Sequence, residues 1–217
     1  MRSLHNFPLS PFCRKVRLVL GEKKLVFESV IERPWERRAG LYALPELVET
    51  GGERIRDGRA IAEYLDETYS TPALMSPDPV TRAGIRGLVN RFDERLFVEV
   101  TSVILHERVL KRFDACADRD PDQHALRTSF EALRDHLAFI GSCADEHGYL
   151  AGPISLADLT AAAHISCIDY FGDVPWQSFP SAREWYARIK SRPSFRLLLS
   201  DNLPGFAPAP HYANLDF

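Results

Sequence analysis

Ser10-Pro11-Phe12-Cys13-Arg14-Lys15-Val16-Arg17-Leu18-Val19-Leu20 is the stretch from which the fold can be read. Phe12, Val16, Val19 and Leu20 repeat at i, i+4, i+7 and i+8, the spacing of one helix face. Arg14, Lys15 and Arg17 are expected outside that face. Ser10 suits the N-cap, where a side-chain oxygen can accept from a first-turn amide. Pro11 suits the next position, where a missing N–H costs nothing. Gly21 weakens the helix near its end, and Lys23-Lys24 stand where a helix C-terminus favours cations. Upstream, residues 3–7 form a short run bounded by Pro8, as a strand would. Downstream, residues 25–30 read as a second strand and residues 35–41 as a polar piece with helical character. Glu46-Leu47-Val48-Glu49 is a short strand. A turn at Thr50-Gly51-Gly52 leads into Glu53-Arg54-Ile55-Arg56, and a helix follows over 57–69 with Ile61 and Leu65 on one face.

The resulting order, βαβ(α)ββα, is a thioredoxin-like α/β plan. The remainder reads as a helical bundle. Leu88, Phe92, Leu96 and Val103 mark a long segment from 80 to about 112, and a second runs over 124–144. Ser155-Leu156-Ala157-Asp158 is a capping box with an acidic residue at N3, and Ile154 and Leu159 stand where a hydrophobic staple would close. From 156 to 168 the only polar residues are Asp158, Thr160, His164 and Ser166, so that helix should be surrounded by protein. A further helix spans 181–191. Ser76-Pro77-Asp78-Pro79 cannot continue a helix and divides the chain. The expected organisation is a thioredoxin-like domain over 1–77, an all-helical domain over 78–202, and an extended Pro-rich tail over 203–217.

The 217 residues carry 27 Lys+Arg against 30 Asp+Glu, a formal net charge of −3. That balance argues against a general nucleic-acid binder. No apolar run is long enough to span a membrane, and Met1-Arg2-Ser3-Leu4-His5-Asn6 lacks the apolar core of a secretory signal. A cytoplasmic chain is expected. Four cysteines, at 13, 116, 143 and 167, are too scattered for a disulfide scaffold. His106, Cys116 and His124 have no metal-site spacing, and no metal is expected. The charge is uneven: Arg33, Arg37 and Arg38 surround Trp35, and Arg183 to Arg196 hold five basic residues and one acid. Both are candidate surfaces for an acidic partner.

The Ser10–Arg17 helix, the helix Arg59-Ala60-Ile61-Ala62-Glu63-Tyr64-Leu65-Asp66-Glu67 and the Ser155-x-x-Asp158 box together make the chain resemble the glutathione S-transferases over nearly its whole length. The resemblance implies a glutathione site. Ser10 occupies the position of the catalytic serine or cysteine, where a hydroxyl at a helix N-terminus lowers the thiol pKa. Leu44 and Pro45 match the residue and the cis-proline that present backbone to the cysteinyl unit. Asp57-Gly58 stands where family enzymes use Glu-Ser to hold the γ-glutamyl carboxylate. Two departures point to a degenerate site: the Asn-Pro-x-Gly approach to Pro45 is replaced by Tyr42-Ala43-Leu44, and the serine hydroxyl is gone. Ser-x-x-Cys lacks a second thiol for disulfide chemistry, so Cys13 reads as a small packed residue. His164 reads as a satisfied core histidine. Glu63, Asp66 and Glu67 read as a solvated helix face.

A narrower resemblance is to a bacterial branch of glutathione-transferase-like cell-division proteins that bind the tubulin-like polymer FtsZ. It is carried by the Trp35 segment and by the ending Pro210-His211-Tyr212-Ala213-Asn214-Leu215-Asp216-Phe217. It implies a homodimeric, catalytically silent adaptor at the division site. Trp35, Arg37 and Arg38 would contact the filament, and Asn214, Leu215, Asp216 and Phe217 would serve division. No cofactor is then required, and any glutathione binding is weak. The alternative is an active transferase that conjugates glutathione to electrophiles, with Ser10 stabilising the thiolate. The tail could instead fold back through Phe206 and Phe217 to cover the helical part.

Overall fold

A computed structural model describes residues 1–33, 35, 44–114 and 120–215. Four short strands come first: β1 (Ser3–Asn6), β2 (Glu28–Ile31), β3 (Glu46–Val48) and β4 (Arg54–Arg56). They form one mixed sheet in the order β2-β1-β3-β4. β1 runs parallel to β2 with Leu4 opposite Ser29, and antiparallel to β3 with Leu4 opposite Leu47. The parallel pair requires a crossover, which is α1 (Pro11–Glu22), and α2 (Gly58–Thr68) closes the unit. This is the expected thioredoxin-like sheet domain. β2 begins three residues later than the sequence suggested.

Ser10 caps α1 as expected, its side chain accepting from the Cys13 amide, and Pro11 follows it. One expectation about α1 fails. Arg14, Lys15 and Arg17 are buried, because α1 lies between α2 on one side and α6 (Leu156–Asp169) on the other. A helix covered on both sides cannot keep a polar face outside, so each cation is matched from across the interface. Arg17 and Arg14 bind the Asp201 carboxylate at 2.8 and 3.2 Å.

The helical part contains α3 (Pro79–Asn90), α4 (Ser102–Arg108), α5 (Gln123–His147), α6, α7 (Pro180–Lys190) and α8 (Arg196–Leu199). α3 and α4 are joined without a break by a π-helical stretch, Arg91–Thr101, so the segment expected over 80–112 is present but not regular. Phe92, Leu96, Val100 and Ile104 are all buried. In α6 every residue is buried. Asp158 accepts from the Ser155 amide at 2.9 Å, the Leu150 amide at 2.9 Å and the Trp185 indole at 2.9 Å, so the capping carboxylate also ties α6 to α7. The apolar core runs unbroken from Leu4 and Leu47 of the sheet through α1 to α5, α6 and α7.

Part of the helix face read as solvated, and part of the basic run read as a partner surface, are instead internal ties. Asp66 accepts from Lys23 and from the Leu74 and Met75 amides at 2.8 and 3.0 Å, fixing the chain after α2. The basic run 183–196, expected as a surface for an acidic partner, is partly drawn inward, although Arg183, Arg188 and Arg196 are exposed. Lys190 is buried against Asp169, Arg192 pairs with Glu22 at 2.7 Å, and Arg188 donates to the Gly148 carbonyl.

Candidate functional site

The cleft between the sheet domain and the helices has a volume of about 330 Å³ and is lined by Phe12, Leu44, Arg56, Asp57, Gly58, Arg59, Asp93 and Phe97. Three residues singled out from the sequence, Leu44, Asp57 and Gly58, thus meet in one place. Leu44-Pro45 is cis. Ser10 does not join them: it is 0 % exposed, its oxygen engaged by the Cys13 amide at 3.4 Å. Asp57 holds the N-terminus of α2 with its own carboxylate, accepting from the amides of Arg59 and Ala60 at 2.8 and 3.1 Å. Those are the donors a bound carboxylate would use. At Gly58 an added Cβ would lie 3.2 Å from both the Phe12 Cβ and the Phe12 carbonyl, so α1 stands too near for a serine there without adjustment. These residues do not fit a glutathione: the Ser10 hydroxyl is sealed from a bound thiol, and the γ-glutamyl carboxylate would meet Asp57.

Behind the cleft lies a buried polar chain. Lys15 binds Asp93, which also faces Arg59 at 3.3 Å and His164 at 3.4 Å. The other His164 ring nitrogen meets Thr101 at 3.0 Å. Burial alone would raise the Asp93 carboxyl, but Lys15 and His164 hold it below the usual carboxylate range. Burial lowers the His164 imidazole, against Asp93. His164 is the satisfied core histidine expected. The cysteine is equally inert: burial pushes the Cys13 thiol up to about 11, and its sulfur accepts from the Phe7 amide at 3.4 Å. A thiol that far above neutrality is not a nucleophile at physiological pH.

A second surface is aromatic. Trp35, half-buried, stacks face to face on Phe113 with centroids 3.7 Å apart and planes 5° from parallel. Phe7 meets the tryptophan edge-on at 6.0 Å, and Phe206 lies 6.2 Å from Phe113. Arg37 and Arg38, expected beside Trp35, lie outside the described residues.

The tail corrects another expectation. It is not extended polyproline but a folded cover. Tyr212 is fully buried, its hydroxyl accepting from Arg14 at 3.0 Å and donating to the Leu198 carbonyl at 3.1 Å. The Tyr170 hydroxyl donates to the Phe206 carbonyl at 2.6 Å and accepts from the Leu203 amide at 3.0 Å. Phe206 folds back as one expectation held. Asn214 and Leu215 are exposed, while Asp216 and Phe217 lie outside the described residues. Sequence reading missed Phe113 and Arg14. Arg14 is signalled only by lying in a helix that the fold buries, and Phe113 only by an aromatic residue amid charges.

Residues 4–73 match the family described as glutathione S-transferase, N-terminal domain. FtsZ-localized protein A of Caulobacter vibrioides is 47% identical over 226 aligned residues, covering 100% of this chain and 98% of that protein. The solved structure of FzlA from C. crescentus superposes with a TM-score of 0.93 at 46% identity, covering 100% of this chain and 99% of the other. A glutathione S-transferase structure from Rhodospirillum rubrum gives a TM-score of 0.93 at 44% identity, with both chains covered completely. Glutathione S-transferase 2 of Saccharomyces cerevisiae is more distant, at 25% identity over 90% of this chain and 88% of its own. No helix among the described residues is long and apolar enough to cross a membrane.

Proposed function

The chain belongs to the glutathione S-transferase superfamily and, within it, to the family of FtsZ-localized protein A, and from that premise we propose that it is a non-enzymatic adaptor that binds FtsZ filaments at the division site. The observation that carries this reading is the 47% identity with FtsZ-localized protein A along the whole chain. The cleft supports it: Ser10 is sealed from solvent and the Asp57 carboxylate caps the helix that would receive a substrate's carboxylate. The protein acts in the cytoplasm as a homodimer, so that one molecule can engage two filament sites and gain by effective concentration. Trp35 and the neighbouring Arg37 and Arg38 form the filament-binding surface, and Asn214 to Phe217 present the contact used in division.

Three measurements on one purified sample test this. The protein should co-sediment with GTP-assembled FtsZ polymer, elute at the mass of a dimer under light scattering, and show no heat of binding with glutathione. Failure to sediment with polymer, together with turnover of a generic electrophile that Ser10→Ala abolishes, would reverse the conclusion in favour of a transferase.

A further inference from the structure

We propose that the surface around Trp35 is a composite platform in which Phe113 and Arg112 contact the partner directly and Phe206 positions Phe113. Its occupant is an acidic segment carrying an apolar side chain. The proposal rests on the reading of Trp35 as the partner-binding residue and extends it to parts of the chain distant in sequence.

The geometry of the stack is the first argument. Isolated aromatic pairs prefer offset or edge-on arrangements to a face-to-face sandwich, yet Trp35 and Phe113 lie parallel at 3.7 Å. Their neighbours hold them there. Phe7 presses edge-on against the tryptophan, and Phe206 is tilted at 50° against Phe113. Phe206 is in turn fixed by the Tyr170 hydroxyl on its carbonyl and by its amide on the Leu203 carbonyl at 2.9 Å. A pair of large rings held rigid loses little side-chain entropy when a partner docks. Phe113 remains 41% exposed, so the stack keeps apolar area in water that an apolar side chain could cover.

Charge supplies the second argument. Arg112 is exposed and lies 4.8 Å from the Phe206 ring centre. Among the described residues no carboxylate pairs with it. Its neighbours differ: Lys111 binds Glu107 at 3.0 Å and Arg108 binds Asp173 at 2.6 Å. Before the tryptophan, Glu32 is held by His5 at 2.7 Å. Among the described residues the cation beside the stack is thus paired with no carboxylate, and Arg37 and Arg38 add to the same sign in sequence beside Trp35, against one acid, Glu36. An acidic partner segment matches that field. Two regions that sequence reading treats as separate, the Trp35 segment and the tail, are one surface joined through Phe113 and Phe206.

Co-sedimentation with assembled FtsZ polymer tests the platform, each variant first checked by thermal melting. Trp35→Ala and Phe113→Ala should each weaken binding about tenfold or more, as hot-spot truncations do. Phe113→Tyr should stay near wild type. Phe206→Ala should weaken binding and Phe206→Tyr restore it, because a ring there positions Phe113. Arg112→Glu should be worse than Arg112→Ala, the sign an acidic partner demands. Should Phe113→Ala unfold, the two Arg112 variants still decide. If Trp35→Ala loses binding while Phe113→Ala and Arg112→Glu keep it, the composite platform is overturned and the filament reading stands. If Trp35→Ala and Phe113→Ala both sediment like wild type, the Trp35 surface is not the filament contact and the platform falls with it; if the wild-type protein itself fails to sediment, the filament reading fails. If Arg112→Glu is no worse than Arg112→Ala, the partner is not acidic.

Discussion

Glu22 shows how one side chain can carry pH dependence into the fold. Burial alone would raise its carboxyl, but hydrogen bonds from Arg192 at 2.7 Å and Ser194 hold it below the ordinary range. A carboxylate depressed in the folded state contributes stability that is present above its unfolded pKa of about 4.3. That contribution is lost as pH falls through the lower, folded value. Glu22→Gln should therefore lower Tm at pH 7 by ~4–8 °C, corresponding to about 2 kcal/mol for hydrogen bonds to a charged group. The gap between variant and wild type should close below pH 4. A gap that persists unchanged in acid would mean that the ionised carboxylate contributes nothing. Nothing in the sequence around Glu22 announces this, since its partners lie 170 and 172 residues away.

At the scale of elements, α1 is the organiser. Its capped start was legible because Ser10 and Pro11 act locally, through amides one turn away. Its burial was not legible, because amphipathic spacing says which face is apolar and not whether the other face is covered too. The C-terminal end shows the same limit. A Cβ added at Gly21 would lie 2.9 Å from both the Cα and the Cβ of Ser194, so the glycine permits close approach of α1 to the 3₁₀ turn Pro193–Phe195 and does not merely weaken the helix. Gly21→Ala should destabilise by about 1–3 kcal/mol through overpacking, seen as a lower midpoint in urea with an unchanged m-value. A neutral or stabilising result would mean that the turn yields. The π-helical stretch belongs to this scale as well. Apolar spacing over 88–103 announced a helix, but the widening of its turn over Arg91–Thr101 is a property of the folded backbone, where the segment packs against α5 and α6.

For the whole molecule, the tail is a structural part of the helical core. Arg14, buried in α1, donates to the Pro8 carbonyl at 2.6 Å, to Ser166 at 2.8 Å and to Tyr212 at 3.0 Å. The N-terminal sheet domain, α6 and the C-terminal tail thus meet on one guanidinium. Tyr212→Ala should cost about 3–5 kcal/mol, the range for a large buried aromatic, and lower Tm by ~6–20 °C in a chain of this size. Differential scanning calorimetry reads this directly. Asn214→Ala and Leu215→Ala should leave Tm unchanged, because both residues are exposed. A large loss from either would place that side chain in the core.

The sequence by itself determined the order of elements, the capped first helix, the buried Ser155–Asp158 helix and the altered Asp57-Gly58 corner. All of these follow from contacts within a few residues or from periodicity, which the chain carries locally. Only the tertiary structure decided that Ser10 is sealed, that Arg14, Lys15 and Lys190 are internal, and that Trp35, Phe113 and Phe206 share one surface. Those outcomes depend on what covers each residue from elsewhere in the chain. The net charge of −3 could not reveal them, because a sum over residues is blind to which charges face water and which face one another.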